Sequence, residues 1–387
     1  MKFYVAFCLS LTTLLLYAQS DFLRISPGIV LPIDSVESSS FAKALSDFLM
    51  AARHANEENT FVFEDEKLET FILLDEINGI EKSVEFKNEH FYRPNLTNLV
   101  PLSDKTYFVQ LSYIGNYEDV SILRASFELI AHKTNGSFSF SSPLLYNTRT
   151  WEIEKTGTNI FYYKNSVNRE KLAEFNKLTT TFDQKLQLSN KTTTYYCCEN
   201  MIELQKLIGT TYKADYNGKA EGVFSAALGD RKLIILGNNN ARFDHFDPHD
   251  LWHDRLSLLI PRSQVNKRVD EGCAYLYGGS WGFTWEEIYS AFMNQIANNR
   301  KTDWMETKDN QVYFKTGQYQ NHADYIVNAL LVKKIEKEKG FGGVWELLTT
   351  GPYEKGSEKY FQVLESLTGI NKANYNEKVW ELINGHP

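Results

Sequence analysis

Cysteine is scarce in this chain of 387 residues, which has four cysteines in all. Cys197 and Cys198 are adjacent and Cys273 stands alone, so a single bridge from the pair to Cys273 would leave one thiol free. A disulfide framework of the kind that holds small secreted domains together is therefore excluded. Proline is also scarce, with 9 residues, and 43% of the chain is hydrophobic, which excludes a disordered or fibrous protein.

An excess of positive charge is absent as well. The chain has 41 basic and 49 acidic side chains, a net charge of −8, which argues against a nucleic-acid partner. Beyond residue 20, no apolar run approaches the roughly 18 residues of a membrane-spanning helix. We therefore expect no membrane span in the mature chain, and the composition predicts no particular oligomeric state.

The first 20 residues have the pattern of a secretory signal peptide. Lys2 is positively charged, residues 5–17 are apolar, and Ala18-Gln19-Ser20 places small residues at a cleavage site. The prediction is a mature chain that starts near Asp21 and is exported, to a periplasm or to the extracellular medium. Cys8 suggests the alternative of a lipid-anchored precursor, but the residues before it are too few for an apolar signal segment.

The mature chain divides by pattern into two regions, and the predicted fold class is α+β. In residues 21–157, apolar residues at helical spacing predict a helix over 38–54. Short β-prone runs from about residue 60 to 161 then predict an antiparallel sheet. Such a module loosely resembles the nuclear-transport-factor-like and cystatin-like folds. Residues 158–387 read as a small mixed sheet followed by helices, with a β-hairpin over 222–237.

One short window contains the residues best suited to chemistry. Asp247 followed by Pro248 predicts a helix start, with Asp247 as the N-cap. His249 and His253 are then one helical turn apart and project from one face, a spacing that lets two imidazoles share one metal ion. Asp250 lies beside that face, within reach of a water on the metal.

A second predicted helix, over residues 269–277, supplies the third ligand of this hypothesis. Glu271 follows His253 by 18 residues, which is enough chain for an antiparallel helix to return to the first one. Two histidines and one carboxylate leave the fourth position of Zn²⁺ open, which is typical of a catalytic site. Zinc lowers the pKa of a bound water towards ~7, and Asp250 is the candidate that takes its proton.

Two segments carry a family resemblance: His249-Asp250-Leu251-Trp252-His253 and Asp270-Glu271-Gly272-Cys273-Ala274. They resemble the HExxH and Glu-Gly-x-Ala elements of thermolysin-like zinc peptidases, the gluzincins. The resemblance covers residues 158–387 and includes the order of predicted strands and helices. It implies a zinc peptidase domain that acts on a peptide or protein substrate, with zinc ligands His249, His253 and Glu271. It further implies that the strand over 222–228 pairs with an extended substrate.

Two departures from the family pattern favour an alternative. Asp250 occupies the position of the family's glutamate base and is one methylene shorter, and the interval from His253 to Glu271 is slightly short. A displacement of about 1 Å in a catalytic group costs on the order of 10²-fold in rate. The alternative function is a binding protein that keeps the peptidase fold with weak or no activity, a pseudoenzyme.

Several other residues compete for roles in the site. His245 precedes Pro248 and is expected to lie in a loop away from the ligand face. The segment Thr284-Trp285-Glu286-Glu287 predicts a capping box instead of metal ligation. The remaining candidates, for a hydrogen bond to a ligand or to the oxyanion, are Tyr275, Tyr319, His322 and Tyr325.

Overall fold

The computed structural model describes residues 22–31, 35–352, 354 and 357–385. The predicted signal peptide lies outside these residues. The described chain is a mixture of helices and β-sheets, as the sequence predicts. It forms two compact units that interleave along the sequence. The first unit comprises residues up to Lys155, Asn159–Val167 and Thr192–Arg242, and the second comprises Thr156–Thr158, Asn168–Lys191 and Phe243–Pro387.

The first unit contains a large, mostly antiparallel sheet. Within the described residues its strand order is β1-β2-β3-β4-β5, with β9 paired to β4, and β1 runs parallel to β2. Alternate side chains of these strands are buried against the N-terminal helix α1 (Ser35–Ala51), for example Leu111 and Phe127. The strands are β1 (Arg24–Ile25), β2 (Arg93–Pro101), β3 (Thr106–Tyr117), β4 (Val120–Thr134), β5 (Ser137–Ser141) and β9 (Thr210–Lys213).

One element of this unit contradicts the sequence-based prediction of strands from residue 60 onward. Residues Lys67–Ile77 form helix α2. Nearly every residue of α2 is buried, including residues on opposite sides such as Phe71 and Leu73. Because the helix is apolar around its whole circumference, its sequence shows no helical period and resembles a buried strand. Two short helices, α3 (Leu144–Asn147) and α5 (Met201–Ile208), complete this part of the core.

A second sheet has the strand order β10-β11-β8-β7-β6. Strand β8 runs parallel to both β7 and β11, whereas β10 at one end of the order is antiparallel to β11. The predicted hairpin is present, with its turn at Gly229. The strands are β6 (Glu152–Thr156), β7 (Asn159–Tyr163), β8 (Thr192–Cys197), β10 (Gly222–Leu228) and β11 (Arg231–Gly237). Most of this sheet belongs to the first unit.

The second unit is mainly helical. Its described helices are α4 (Arg169–Leu186), α6 (Pro248–Leu256), α7 (Lys267–Gly278), α8 (Trp285–Phe292), α9 (Trp304–Asp309), α10 (Ala323–Leu348), α11 (Glu358–Thr368) and α12 (Tyr375–Asn384). Gly340 interrupts α10 with a positive φ of 70°, a backbone conformation that favours glycine. A hairpin that the sequence did not predict, β12 (Tyr313–Thr316) and β13 (Tyr319–His322), leads into α10.

Two further features concern cysteine and membranes. Cys197, Cys198 and Cys273 are buried free thiols, so the described structure contains no bridge between them. In the part of the chain that the structure describes, no helix has the length and the apolar character needed to cross a lipid bilayer. The interior of the described protein is therefore held by side-chain packing and hydrogen bonds.

Candidate metal centre

Two neighbouring helices of the second unit position the candidate ligands. Helix α6 begins as predicted: the Asp247 carboxylate accepts a hydrogen bond of 2.9 Å from the His249 backbone, and Pro248 occupies the first turn. Helix α7 begins at the N-cap Asn266 and packs against α6. This arrangement returns Glu271 to the histidine face of α6, which the spacing of 18 residues allows.

Three side-chain atoms converge between these helices. The Nε2 atoms of His249 and His253 lie 3.1 Å apart, and Glu271 Oε2 lies 3.4 Å from the first and 3.9 Å from the second. Four ligands around zinc with bonds of about 2.1 Å are separated by roughly 3.4 Å. Within the described residues, these three form the group of histidine, cysteine and carboxylate side chains that is close enough to hold a metal ion.

The other ring nitrogens orient both histidines. His249 Nδ1 donates to the carbonyl oxygen of Gly279 over 2.9 Å, and His253 Nδ1 donates to Asp270 Oδ2 over 3.0 Å. In the neutral form of each ring the hydrogen therefore lies on Nδ1, and Nε2 presents its lone pair towards Glu271. In that form the three facing atoms are all acceptors, so the donor set fits a metal ion.

Asp270 is held in turn by a tryptophan. The indole Nε1 of Trp252 donates to Asp270 Oδ1 over 3.0 Å, while Oδ2 accepts from His253. Trp252 is fully buried and its ring packs edge-on against Phe182 of α4 at 5.5 Å. The imidazole of His253 is therefore oriented by a carboxylate that is itself fixed in the core, an arrangement typical of metal-binding histidines.

Small residues allow the helices around the site to approach closely. A Cβ atom on Gly272 would lie 2.8 Å from the backbone nitrogen of Ala329 in α10, and one on Gly278 would lie 2.6 Å from the carbonyl carbon of Pro248. Both contacts are with backbone, which cannot move aside as a flexible side chain can. Gly272 thus lets α7 pack on α10, and Gly278 lets the end of α7 reach the start of α6.

The charges of the cluster shift the pKa values of its members in opposite directions. Burial disfavours the charged form of His249, but the hydrogen bond and charge of Glu271 outweigh it and raise the pKa of His249. Burial likewise opposes ionisation of Glu271, yet His249 and His253 lower the pKa of its carboxyl group. The carboxylate therefore stays ionised at neutral pH, which is the form that binds a cation.

Asp250 has a different environment. It follows His249 in α6, and its side chain is exposed at the surface of the helix. Partial desolvation, together with the negative charge of Asp247, raises the pKa of Asp250, while the two histidines act in the opposite direction. Asp250 thus lies within electrostatic range of the ligand histidines and remains outside the converging group itself.

The four other candidate residues have different surroundings in the structure. The Tyr275 ring packs edge-on against His249 at 5.4 Å, and its hydroxyl donates to Asn321 Oδ1 over 3.0 Å. His322 and Tyr325 stack on each other at 4.5 Å, and both are within electrostatic range of Glu271. Burial lowers the pKa of His322, and burial with the charge of Glu271 raises the pKa of Tyr325 to about 12. Tyr319 instead stacks on Trp281.

The competing sequence features are placed as predicted. His245 lies in the exposed loop before α6 and does not join the converging group. Thr284 and Glu287 form a complete capping box at the start of α8, with reciprocal side-chain and backbone hydrogen bonds. Sequence reasoning missed the roles of Asp270 and Gly279, although Asp270 stands next to Glu271 in the motif itself.

Replacement of Asp270 with asparagine is expected to weaken zinc binding about 10- to 100-fold, the usual effect of removing a hydrogen-bond partner of a metal-binding histidine. Asparagine has an NH2 donor in place of one of the two carboxylate oxygens, so either Trp252 or His253 loses its acceptor there. Competition titration against a chromophoric chelator measures the affinity. The control is Asp119→Asn, which removes the same charge from an exposed turn of the first unit. Equal affinities for both variants would contradict the assigned role.

Comparison with known proteins identifies no similar protein. No family model matches the chain, no curated protein matches it, and no solved structure matches it.

Proposed function

We propose that this protein is a zinc-dependent peptidase of the gluzincin type. The observation that carries the proposal is the convergence of His249 Nε2, His253 Nε2 and Glu271 Oε2 within 4.8 Å of one another. Two imidazoles and one carboxylate match the ligands of zinc hydrolases, whereas calcium and magnesium sites are built from oxygen ligands. A zinc ion held there would supply a Lewis acid and a water of lowered pKa.

The peptidase assignment, including a thermolysin-like domain, is supported by the residues around the ligands. Gly272 and Ala274 follow Glu271 as they do in the gluzincin pattern. Glycine is needed at position 272 because α7 and α10 approach each other closely there. The mixed sheet with an antiparallel strand, β10, at one end of its order is also consistent with a zincin fold. With the predicted signal peptide, we propose that the protein acts on peptides or proteins after export, in a periplasm or outside the cell.

The protein's own groups have distinct roles in this proposal. Asp250, which is exposed and within electrostatic range of both histidines, accepts a proton at its carboxylate and returns it to the leaving amine. The raised pKa of Tyr325, about 12, keeps its hydroxyl protonated well above neutral pH. Its hydroxyl is therefore suited to donate a hydrogen bond to the carbonyl oxygen as negative charge develops there.

The short side chain of Asp250 supports a second candidate, a peptide-binding protein with weak or no activity. A carboxylate that stands about 1 Å further from its water reduces the rate on the order of 10²-fold. This candidate keeps the metal centre and the peptide specificity and loses only the proton transfer.

Variants at Asp250 test the two candidates. For an active enzyme, we expect Asp250→Asn to lower hydrolysis of an unfolded, fluorescently labelled protein about 10²-fold, because an amide cannot accept the proton. Asp250→Glu keeps the carboxylate and restores the length found in gluzincins. Zinc content is measured in parallel and is expected to stay at one equivalent in each variant, since Asp250 lies outside the ligand group.

The outcomes separate the candidates. If the unaltered chain is inactive and Asp250→Glu creates activity, the binding protein is favoured. If neither form hydrolyses peptides although both hold zinc, the peptidase proposal fails. Asp254→Asn is the matched control, since it removes another carboxylate from the same helix.

A further inference from the structure

Two stacked aromatic rings stand exposed on the second unit. The rings of Trp281 and Tyr319 are 5.0 Å apart and almost parallel, with an angle of 5° between their planes. Trp281 is 56% exposed and Tyr319 is 36% exposed. We call this pair the aromatic step. Large aromatic side chains are normally buried or used in recognition, so a stacked pair in contact with solvent indicates a binding surface.

The backbone holds Trp281 in a costly conformation. Its φ of 54° is left-handed, which is unusual for a bulky residue, and it lies between Gly279 and Gly282 with φ values of 74° and 78°. Ser280 and Phe283 close the turn with two backbone hydrogen bonds of 3.0 Å each. The loop thus holds the indole at the surface although the left-handed backbone conformation of Trp281 is energetically unfavourable. Such strain is common at functional sites.

Both members of the step are connected to the metal centre. The Gly279 carbonyl accepts the hydrogen bond from His249 Nδ1, and Trp281 follows only two residues later, a span of at most about 7 Å. Tyr319 begins strand β13, which ends at His322. In that strand, Asn321 accepts the hydroxyl of Tyr275, whose ring packs against His249. The position of the aromatic step relative to the candidate ligands is therefore fixed twice, through the loop that carries Trp281 and through strand β13.

We propose that the aromatic step is a substrate subsite that takes an aromatic or large apolar side chain of the peptide, next to the bond that is hydrolysed. This inference rests on the proposed peptidase function. The step presents flat apolar faces and no charged group, so it suits a ring or a bulky aliphatic chain. Since the two rings support each other, the step loses little conformational entropy when a ligand covers it.

Peptide preference tests the subsite. Zinc-loaded full-length protein is assayed with blocked hexapeptides in which a single phenylalanine is moved through an otherwise alanine sequence. We expect one position to raise kcat/KM about five- to tenfold over the all-alanine peptide. Trp281→Gly removes the ring and suits the left-handed backbone, so we expect it to abolish this preference. The reference for each variant is its own kcat/KM for the all-alanine peptide, and zinc affinity should stay within about twofold of the parent.

Tyr319→Ala is expected to reduce the same preference, whereas Tyr212→Ala should leave it unchanged, because Tyr212 is a comparably exposed tyrosine, at 45%, in the first unit. An equal loss with all peptides in Trp281→Gly, or an unchanged preference, would overturn the subsite.

If the parent chain hydrolyses no peptide, the peptidase proposal fails, and equilibrium binding of the same peptides decides the subsite independently. Tighter binding of one phenylalanine peptide that is lost in Trp281→Gly supports it. Equal affinity of parent and variant for that peptide contradicts it.

Discussion

Replacement of His249 with alanine is expected to remove zinc from the protein. The unaltered chain should retain about one zinc per chain after exhaustive dialysis, and the variant should retain almost none. Loss of a residue that merely orients a ligand weakens binding about 10- to 100-fold, so loss of the ligand itself should cost more than 100-fold. Atomic absorption of the dialysed protein and chelator competition measure the two quantities.

The same variant should lose the stabilisation that zinc gives. A ligand present at 1,000 times its Kd stabilises a folded protein by about 4.1 kcal/mol, which raises the melting temperature by several degrees. We expect this shift in the unaltered chain and its absence in His249→Ala. The matched control is His245→Ala, which removes an imidazole from the exposed loop just before α6. Zinc loss in the control, or retention in His249→Ala, would disprove the ligand assignment.

Replacement of Arg255 with alanine is expected to destabilise the second unit by about 3–5 kcal/mol, because it leaves the largely buried carboxylate of Asp183 without the arginine. The Arg255 side chain is completely buried in α6. Its Nε and one terminal nitrogen donate to the two oxygens of Asp183 in α4, over 2.6 and 2.8 Å. This fork fixes the helix that carries both histidines, so we also expect the variant to bind zinc more weakly.

Guanidinium denaturation followed by tryptophan fluorescence measures this effect, since six of the seven tryptophans lie in the second unit. The double variant Arg255→Met with Asp183→Leu replaces both charges by apolar groups of similar size. It should recover most of the lost free energy of unfolding, because no unpaired charge remains. If the double variant is as unstable as Arg255→Ala, the unpaired carboxylate of Asp183 is not the cause of the lost stability.

Local patterns made part of the candidate metal centre predictable. The N-cap Asp247 and Pro248 mark the start of α6 in the sequence, and helical geometry alone then places His249 and His253 on one face. The capping box at Thr284 is equally local and excludes Glu287 as a ligand. For Glu271 the spacing of 18 residues only permitted the pairing, and the family resemblance supported it, since no local rule sets the packing of α7 on α6.

Other parts of the fold could not be predicted from the sequence, for physical reasons. Helix α2 is buried on all sides, so its residues show no period that distinguishes a helix from a strand. The grouping of residues 192–242 with the N-terminal part depends on contacts between strands distant in sequence. The aromatic step requires Trp281 and Tyr319 to meet from two different loops, which no spacing indicates.

The sequence by itself determined where α6 begins and which of its residues share a face, because these depend on neighbours within a few positions along the chain. Only the tertiary structure decided that Gly279 and Asp270 fix the two imidazole rings. It also decided that Glu271 Oε2 meets both Nε2 atoms and that Arg255 anchors the helix to Asp183. These contacts join residues 17 to 72 positions apart, where packing and burial, not local propensity, select the partner.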